Sequence, residues 1–223
     1  MGPSARSPAG PVHRWRGIAV KASVWQTFFQ QQRDQHGKVL FTVTELANVA
    51  GISPAALNVE LARLRQRGVV VKYAHGLYGL PGAVSVETLL PAIDSHAYIT
   101  AHYALYTHHL VTQVPTVITC FTDRRSPRAR ERSTPVGRLE FVCVQSRVYA
   151  PPPDRPVASP SQALCDYVYR SRRQGVRPEN LVTFRQLHRL DSTELTTVLA
   201  RYPLTVRQHV ERIRSNIPAL GSP

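Results

Sequence analysis

The sequence has little that would indicate a membrane protein, a disulfide-stabilised scaffold or a zinc site. It has no run of about 18 apolar residues, the length that a membrane-spanning helix needs. Its three cysteines are widely separated, which fits neither a disulfide framework nor zinc-ligand spacing. Cys120 and Cys143 lie in apolar, strand-like runs. We therefore expect buried, reduced thiols, a cytoplasmic location and no contact with a membrane.

Signs of catalysis are also few. There is no glycine-rich phosphate loop, no nucleophile elbow and no pair of carboxylates at helical spacing. His102, His108 and His109 lie close together, but no cysteine or acid lies nearby at metal-ligand spacing. Asp166, on an otherwise apolar helix face, predicts a buried hydrogen bond or an ion pair with an arginine; the alternative is a catalytic role. We expect no enzymatic activity, no cofactor and no metal.

Acidic residues are scarce relative to basic ones. The chain has 28 lysines and arginines against 14 aspartates and glutamates, a net charge of +14. Basic side chains release counterions from phosphates on binding, so a nucleic-acid partner is the natural inference. Almost all of these residues are arginine, so genome composition is the alternative explanation.

The first 20 residues carry arginines but no acid, together with several prolines and glycines. They lack the apolar stretch of a signal peptide. We expect residues 1–20 to form a disordered basic arm.

A helix-turn-helix is predicted from a series of local signals. Residues 23–35 have apolar side chains at helical spacing. Thr42 and Glu45 form a capping box at the start of a short helix, which Gly51 ends. Ser53 caps the next helix, with Pro54 at its first position. Leucines 57, 61 and 64 then recur on one face until Gly68.

A hairpin follows the third of these helices. Residues 69–73 and 77–80 are strand-like, and a tight turn at 74–76 joins them. The order helix, helix, turn, helix, hairpin is typical of a winged helix-turn-helix, which we place at residues 21–82.

In such a fold the second helix of the motif enters the major groove of DNA. With its leucines turned inward, the residues left to face the groove are Ser53, Ala55, Ala56, Asn58 and Val59. Asn58 is the best candidate base reader, because a carboxamide can bind adenine through two hydrogen bonds. The residues assigned to phosphate and to the wing are Arg63, Arg65, Arg67, Lys72, Tyr73 and His75. The alternative is that these side chains only form a solvent-exposed face of a small domain and bind nothing.

Residues 83–223 predict a second, mixed domain of helices around a small sheet, so the fold class is α+β. Helices are expected at 85–93, where Pro91 breaks the helix, and at 100–110, capped by Thr100. Further helices are expected at 159–169, 181–190, 191–202 and 205–216, the first and third of them with capping residues Ser159 and Asp191. Strands are expected at 114–121 and 139–144, with a polar loop at 124–132 between them.

The second domain is also rich in arginine. It predicts a second basic surface, for DNA backbone or for an acidic partner, and plain solubilising charge is the alternative. The residues of this surface are Arg124, Arg125, Arg128, Arg130, Arg170, Arg172 and Arg173.

Four segments of the chain resemble a known family. They are FTVTELA at 41–47, HGLYGLP at 75–81, YITAHYALYTHHLVTQVP at 98–115 and VASPSQALCDYVY at 157–169. In this order they are similar to the AbiEi antitoxins of type IV abortive-infection toxin–antitoxin systems, over about residues 23 to 190. Departures include Tyr103 for serine, His109 for a small residue, Gln162 for lysine and His75 for arginine.

The resemblance implies a bacterial protein with two roles. The winged helix would bind inverted repeats in double-stranded DNA at its own promoter, as a dimer on DNA, and repress the operon. The domain at 83–223 would counteract a nucleotidyltransferase-like toxin without a stable complex. One alternative is a winged-helix regulator whose second domain senses a small molecule, with no toxin partner. Another is an enzyme, such as a nuclease or a metal-dependent hydrolase.

Overall fold

The structure is a computed structural model that describes residues 21–125 and 130–216. The chain divides into two compact units between Ser85 and Val86. The expected basic arm at residues 1–20 lies outside the described residues.

The first unit contains three helices and a small antiparallel sheet. In chain order its elements are α1 (Ala22–His36), β1 (Leu40–Thr42), α2 (Val43–Ala50), α3 (Pro54–Gln66), β2 (Val71–Ala74) and β3 (Leu77–Gly79). The strand order is β1-β3-β2, with β2 and β3 forming a hairpin. This arrangement is a winged helix-turn-helix, as the sequence predicted.

Aromatic side chains of α1 and β1 form the centre of this unit. Trp25 stacks on Phe29, and Phe29 meets Phe41 edge-on with ring centroids 5.1 Å apart. The three leucines of α3 pack into the same core, together with Leu46 of α2. All of these side chains are buried, so one apolar cluster ties the three helices to the sheet.

Gly79 of β3 lies where the backbone of the hairpin passes very close to the backbone of Val39. A Cβ atom at this position would lie 2.3 Å from the carbonyl oxygen of Val39. Only glycine allows the backbones to approach so closely, which accounts for a glycine inside a strand.

The second unit is a mixed domain with one four-stranded sheet. Its helices are α4 (Val86–Ile93), α5 (Ala101–Thr107), α6 (Pro160–Arg173), α7 (Ser192–Leu199) and α8 (Leu204–Asn216). Its strands are β4 (Tyr98–Ile99), β5 (Ile118–Thr122), β6 (Glu131–Thr134) and β7 (Gly137–Cys143). The order is β4-β5-β7-β6, in which β5 and β7 are parallel and the outer pairs antiparallel. The mixed α+β fold class is therefore confirmed.

Helix α6 is the centre of the second unit. Every residue from Ser161 to Tyr169 is buried, so this helix is covered on all sides. Helices α5, α7 and α8 pack against it. Ser159 caps it by accepting a hydrogen bond from the backbone of Gln162.

Asp166 lies inside this packing and is fully buried. Its carboxylate accepts hydrogen bonds from the hydroxyl groups of Tyr202 at 2.6 Å, Thr100 at 2.7 Å and Tyr98 at 3.2 Å. The predicted buried hydrogen bonding is confirmed, but the donors are hydroxyl groups rather than an arginine. Burial raises the pKa of Asp166 to about 7, although the three hydroxyl donors lower it.

Several boundaries in the second unit differ from the prediction. No α-helix forms at 181–190: Phe184 bridges to Val111 as in a strand, and only short 3₁₀ turns occur, at Pro178–Asn180 and Leu187–Arg189. The polar loop contains strand β6, which pairs with β7 from Glu131 to Thr134. A partner distant in sequence, Val111, decides the first segment, and local composition does not reveal such a partner. Strand β6 instead pairs with the next strand through a short turn, and its polar composition gave no strand signal.

Some helix-end predictions were also wrong. Helix α4 continues through Pro91 to Ile93 instead of breaking there. Thr100 occupies the cap position of α5 without capping it, because its hydroxyl group binds Asp166.

The predicted buried thiol of Cys143 is exposed, whereas Cys120 and Cys165 are buried. Within the described residues, no helix is both long enough and apolar enough to span a bilayer.

Candidate nucleic-acid interface

Helices α2 and α3 are each capped at their N-terminal end by a side chain, and Gly51 forms the turn between them. The Thr42 hydroxyl accepts from the Glu45 backbone at 3.2 Å, and the Glu45 carboxylate accepts from the Thr42 backbone at 2.8 Å. Gly51 ends α2 in the left-handed conformation, with φ 66°. Ser53 then caps α3 by accepting from the Ala56 backbone at 3.2 Å. The predicted capping box and serine cap are confirmed.

Glu45 also binds the side chain of Lys38, 2.7 Å away. Partial burial raises the pKa of Glu45, but the hydrogen bonds from Lys38 and Thr42 outweigh burial and leave that pKa lowered. The ion pair links the chain before β1 to the first turn of α2.

Helix α3 has one buried and one open face. Leu57, Leu61 and Leu64 are at most 1% exposed and anchor the helix. The side chains of this helix that were predicted to meet DNA lie on its open part or at its ends: Ser53, Ala55, Ala56, Asn58, Val59, Arg63, Arg65 and Arg67 are exposed. The helix therefore presents these side chains to solvent within its own unit.

The basic residues of α3 are largely free of acidic partners. Arg63 lies 3.8 Å from Glu60, with 63% of its own side chain exposed. Arg65 and Arg67 make no side-chain hydrogen bond or ion pair with any described residue. Exposed guanidinium groups without a carboxylate remain available to phosphate oxygens.

The hairpin β2–β3 provides the wing. Lys72 and His75 are exposed, His75 in the turn beside Gly76, whose φ is 72°. The prediction for Tyr73 was wrong, since this side chain is 3% exposed and donates a hydrogen bond to the Leu80 carbonyl at 2.7 Å. The strand register shifts between Lys72 and Ala74, and the Tyr73 side chain lies on the face of the hairpin that packs against the core.

The arginines predicted to form a second basic surface bind several different elements. Arg124 donates to His96, Arg170 pairs with Glu140 on β7, and Arg173 lies over the Tyr169 ring. Arg125 and Arg130 are exposed, whereas Arg128 lies outside the described residues. Arg170 therefore serves mainly in an internal ion pair, and only 22% of its side chain is exposed.

Arg172 belongs to a cluster that the sequence did not suggest. The Nδ1 atom of buried His209 lies 3.2 Å from Arg172 and 3.1 Å from Arg212. Arginine can only donate, so Nδ1 accepts, and Nε2 donates to Glu179 at 2.8 Å. The pKa of Glu179 is lowered: its partial burial raises that pKa, but hydrogen bonding, including the bond from His209, outweighs it.

Two of the three clustered histidines make structural contacts. His102 Nε2 lies 2.9 Å from the Gln113 carbonyl and His108 Nε2 lies 2.8 Å from the Ala158 carbonyl, so each ring donates to the backbone. Burial lowers the pKa of His102. In residues 21–125 and 130–216, no three His, Cys, Asp or Glu side chains group together in a way that could hold a metal ion.

The first unit thus defines a class of protein: a winged helix-turn-helix with an open, basic motif helix, a class associated with binding of double-stranded DNA. Residues 33–81 match the family model described as "Transcriptional regulator, AbiEi antitoxin". The resemblance to the AbiEi antitoxins is therefore confirmed over this segment, and that family is regulatory rather than enzymatic. A search of curated proteins finds no match to this chain.

Proposed function

We propose that the chain is a bacterial, cytoplasmic antitoxin of a type IV toxin–antitoxin system that also represses transcription of its own operon. The observation that supports this most directly is the open face of α3. It carries exposed arginines, of which Arg65 and Arg67 have no carboxylate partner among the described residues, inside the segment that matches the family.

In this proposal α3 enters the major groove of double-stranded DNA from its Ser53 end. Asn58 reads a base, because its exposed carboxamide can bind adenine through two hydrogen bonds. Arg63, Arg65 and Arg67 bind phosphates, and Lys72 and His75 of the wing contact the adjacent backbone. The operator would be an inverted repeat in the protein's own promoter, bound by a dimer.

The second unit, close to residues 83–223, would be the part that opposes the toxin. The toxin would be nucleotidyltransferase-like, and the two proteins would form no stable complex. Exposed Arg125 and Arg130 are the members of the second basic surface best placed to bind DNA backbone or an acidic partner.

The phosphate contacts are tested by the salt dependence of binding. The full-length protein is titrated on the DNA upstream of its own gene at several salt concentrations. The variant R63A/R67A should bind all DNA sequences more weakly. Its slope of log affinity against log salt should be smaller by about 2, since each lost phosphate contact contributes roughly 0.9. R33A is the matched control, because Arg33 pairs with Asp34 on α1. An unchanged slope in R63A/R67A contradicts the proposed contacts.

The base contact is tested separately with N58A. This variant should lose its preference at one base pair of the bound site and keep the salt slope, because a carboxamide releases no counterion. Affinity is measured for a panel of single-base variants of the upstream DNA. If N58A keeps the sequence preference of the unmodified protein, Asn58 does not read a base.

The antitoxin role is tested in cells. The full-length protein, expressed from an unrelated promoter, should restore growth to cells that express the neighbouring nucleotidyltransferase-like gene. R63A/R67A should restore growth equally well, because the proposed neutralisation depends on the second unit. If neither the unmodified protein nor R63A/R67A restores growth, the antitoxin role is contradicted. The DNA-binding role is then judged by the salt titration alone.

A further inference from the structure

The most outward line of side chains on α3 is apolar up to its last residue, where the exposed carboxamide of Gln66 continues the line at the C-terminal end. Ala55, Val59 and Ala62 follow one another at intervals of four and three residues, so they share one face of the helix. That face is opposite the buried Leu57 and Leu61. All three side chains are exposed, and Val59 is 56% exposed, an unusual state for a large apolar side chain on a helix. We call these three residues the apolar crest.

Polar and charged side chains flank the crest rather than form it. By the helical period, Asn58 and Arg65 lie along one side of the crest and Arg63 and Arg67 along the other. When a helix enters a groove with its crest foremost and its N-terminal end deepest, the crest and Asn58 beside it face the base edges. The arginines further along the helix face the phosphate walls. The crest carries no hydrogen-bond donor or acceptor in its side chains.

The floor of the major groove offers one apolar group. Each base pair presents donors and acceptors there, and thymine alone adds a C5-methyl group. Two alanines allow close approach of the helix backbone, while Val59 projects further between them. An apolar crest flanked by arginines is therefore complementary to a groove whose floor carries thymine methyl groups and whose walls carry phosphates.

From this geometry we infer that α3 recognises thymine through its C5-methyl group, with Val59 as the principal contact and Ala55 and Ala62 beside it. The inference rests on the proposed function, since it needs α3 to bind DNA. It predicts an operator with thymines under each motif helix. Each methyl group removed from contact with Val59 should weaken binding roughly fourfold, the ratio that corresponds to burial of about one methylene-sized group.

The experiment removes the methyl group and leaves base pairing intact. The DNA upstream of the protein's own gene is amplified once with dTTP and once with dUTP, since uracil differs from thymine only at C5. The affinities of the full-length protein, V59A and N58A are measured for both DNAs over a range of salt concentrations. The unmodified protein should bind the uracil DNA more weakly, by roughly fourfold per contacted methyl group.

The two variants separate a methyl contact from other effects of uracil on DNA shape. V59A should bind thymine DNA more weakly, and its ratio of affinities for the two DNAs should approach one. N58A should keep the ratio of the unmodified protein, whatever happens to its absolute affinity. Val59 is exposed, so V59A should unfold at the same temperature as the unmodified protein, which checks that the fold is retained.

Three results would overturn the inference in distinguishable ways. Equal affinity of the unmodified protein for both DNAs removes methyl recognition and leaves the proposed function intact. A thymine preference that persists in V59A assigns the effect to DNA shape. If neither DNA binds at low salt while V59A changes the oligomeric state, the crest is a protein contact, and the proposed DNA binding fails with it.

Discussion

The two units of the chain differ in where they place polar side chains. In the first unit the side chains that form the core are apolar, and the arginines of α3 extend into solvent. In the second unit a carboxylate and an imidazole are buried, and the arginines beside them bind internal partners. An unpaired charged side chain at the surface can bind a ligand, whereas a charged side chain that is paired with an internal partner mainly serves the fold. The comparison therefore places the more open basic surface on the winged helix.

The largest expected effect is on the apolar core of the first unit. L61A should lower the free energy of unfolding of this unit by about 2–5 kcal/mol, because Leu61 is fully buried against its neighbours. Chemical denaturation followed by tryptophan fluorescence measures the change, with Trp25 in the same core. L204A is the control, since Leu204 is 65% exposed, and it should change stability by less than about 0.5 kcal/mol. Equal losses from both variants would contradict this account of the core.

The next effect concerns the polar interior of the second unit. Y202F removes the hydroxyl group that donates to Asp166 at 2.6 Å. Measured above pH 7, where Asp166 is ionised in the folded state, it should lower the free energy of unfolding by about 1.5–3 kcal/mol, the range for hydrogen bonds to charged groups. Y106F is the matched control, because Tyr106 is exposed. Similar stabilities for Y202F and the unmodified protein would mean that the buried bond contributes nothing net.

Asp166 in the second unit and Glu45 in the first should contribute pH dependences of stability with opposite signs. Burial raises the pKa of Asp166 to about 7, so the folded state holds a proton that the unfolded state loses near pH 4. Stability from this group is therefore greatest at low pH and falls as pH rises toward 7, by at most about 1.4 kcal/mol per pH unit. The difference in unfolding free energy between D166N and the unmodified protein should change across this interval.

Glu45 provides the opposite case. Its pKa is lowered in the folded state, so its contribution is present above the ordinary glutamate pKa and is lost as pH falls. The difference between E45Q and the unmodified protein should therefore shrink in acid. Denaturation curves at several pH values measure both variants, and slopes of the same sign would refute the contrast.

The smallest effect concerns helix ends. In the first unit the left-handed residues after α1 and α2 are glycines, whereas in the second unit His109 has φ 60° after α5. H109G should raise the free energy of unfolding by less than about 1 kcal/mol, because relief of backbone strain exceeds the added flexibility of the unfolded chain. G37A should lower it by about 1 kcal/mol, since Gly37 has φ 62°. Thermal unfolding of both variants checks the signs, and a destabilised H109G would show that its side chain makes a compensating contact.

Much of the first unit was predictable because each of its elements carries its own local signal. The capping box of Thr42 and Glu45, the left-handed Gly51 and the Ser53 cap lie within a few residues of the helices they define. The apolar crest could also have been found from the helical period of α3, since Ala62 follows Val59 by one turn. Tyr73 was misplaced because alternation alone does not reveal a shift in strand register.

By itself, the amino-acid sequence determined the winged helix-turn-helix, its exposed motif helix and the mixed α+β character of the second unit, since caps, glycines and apolar spacing act over a few residues. Only the tertiary structure decided that the segment at 181–190 would not be helical, that Asp166 would bind three hydroxyl groups, and that His209 would join Arg172 to Glu179. The reason is that these features depend on partners far away in the chain. A buried polar group takes whichever donor the packing brings to it, and spacing along the sequence carries no record of that choice.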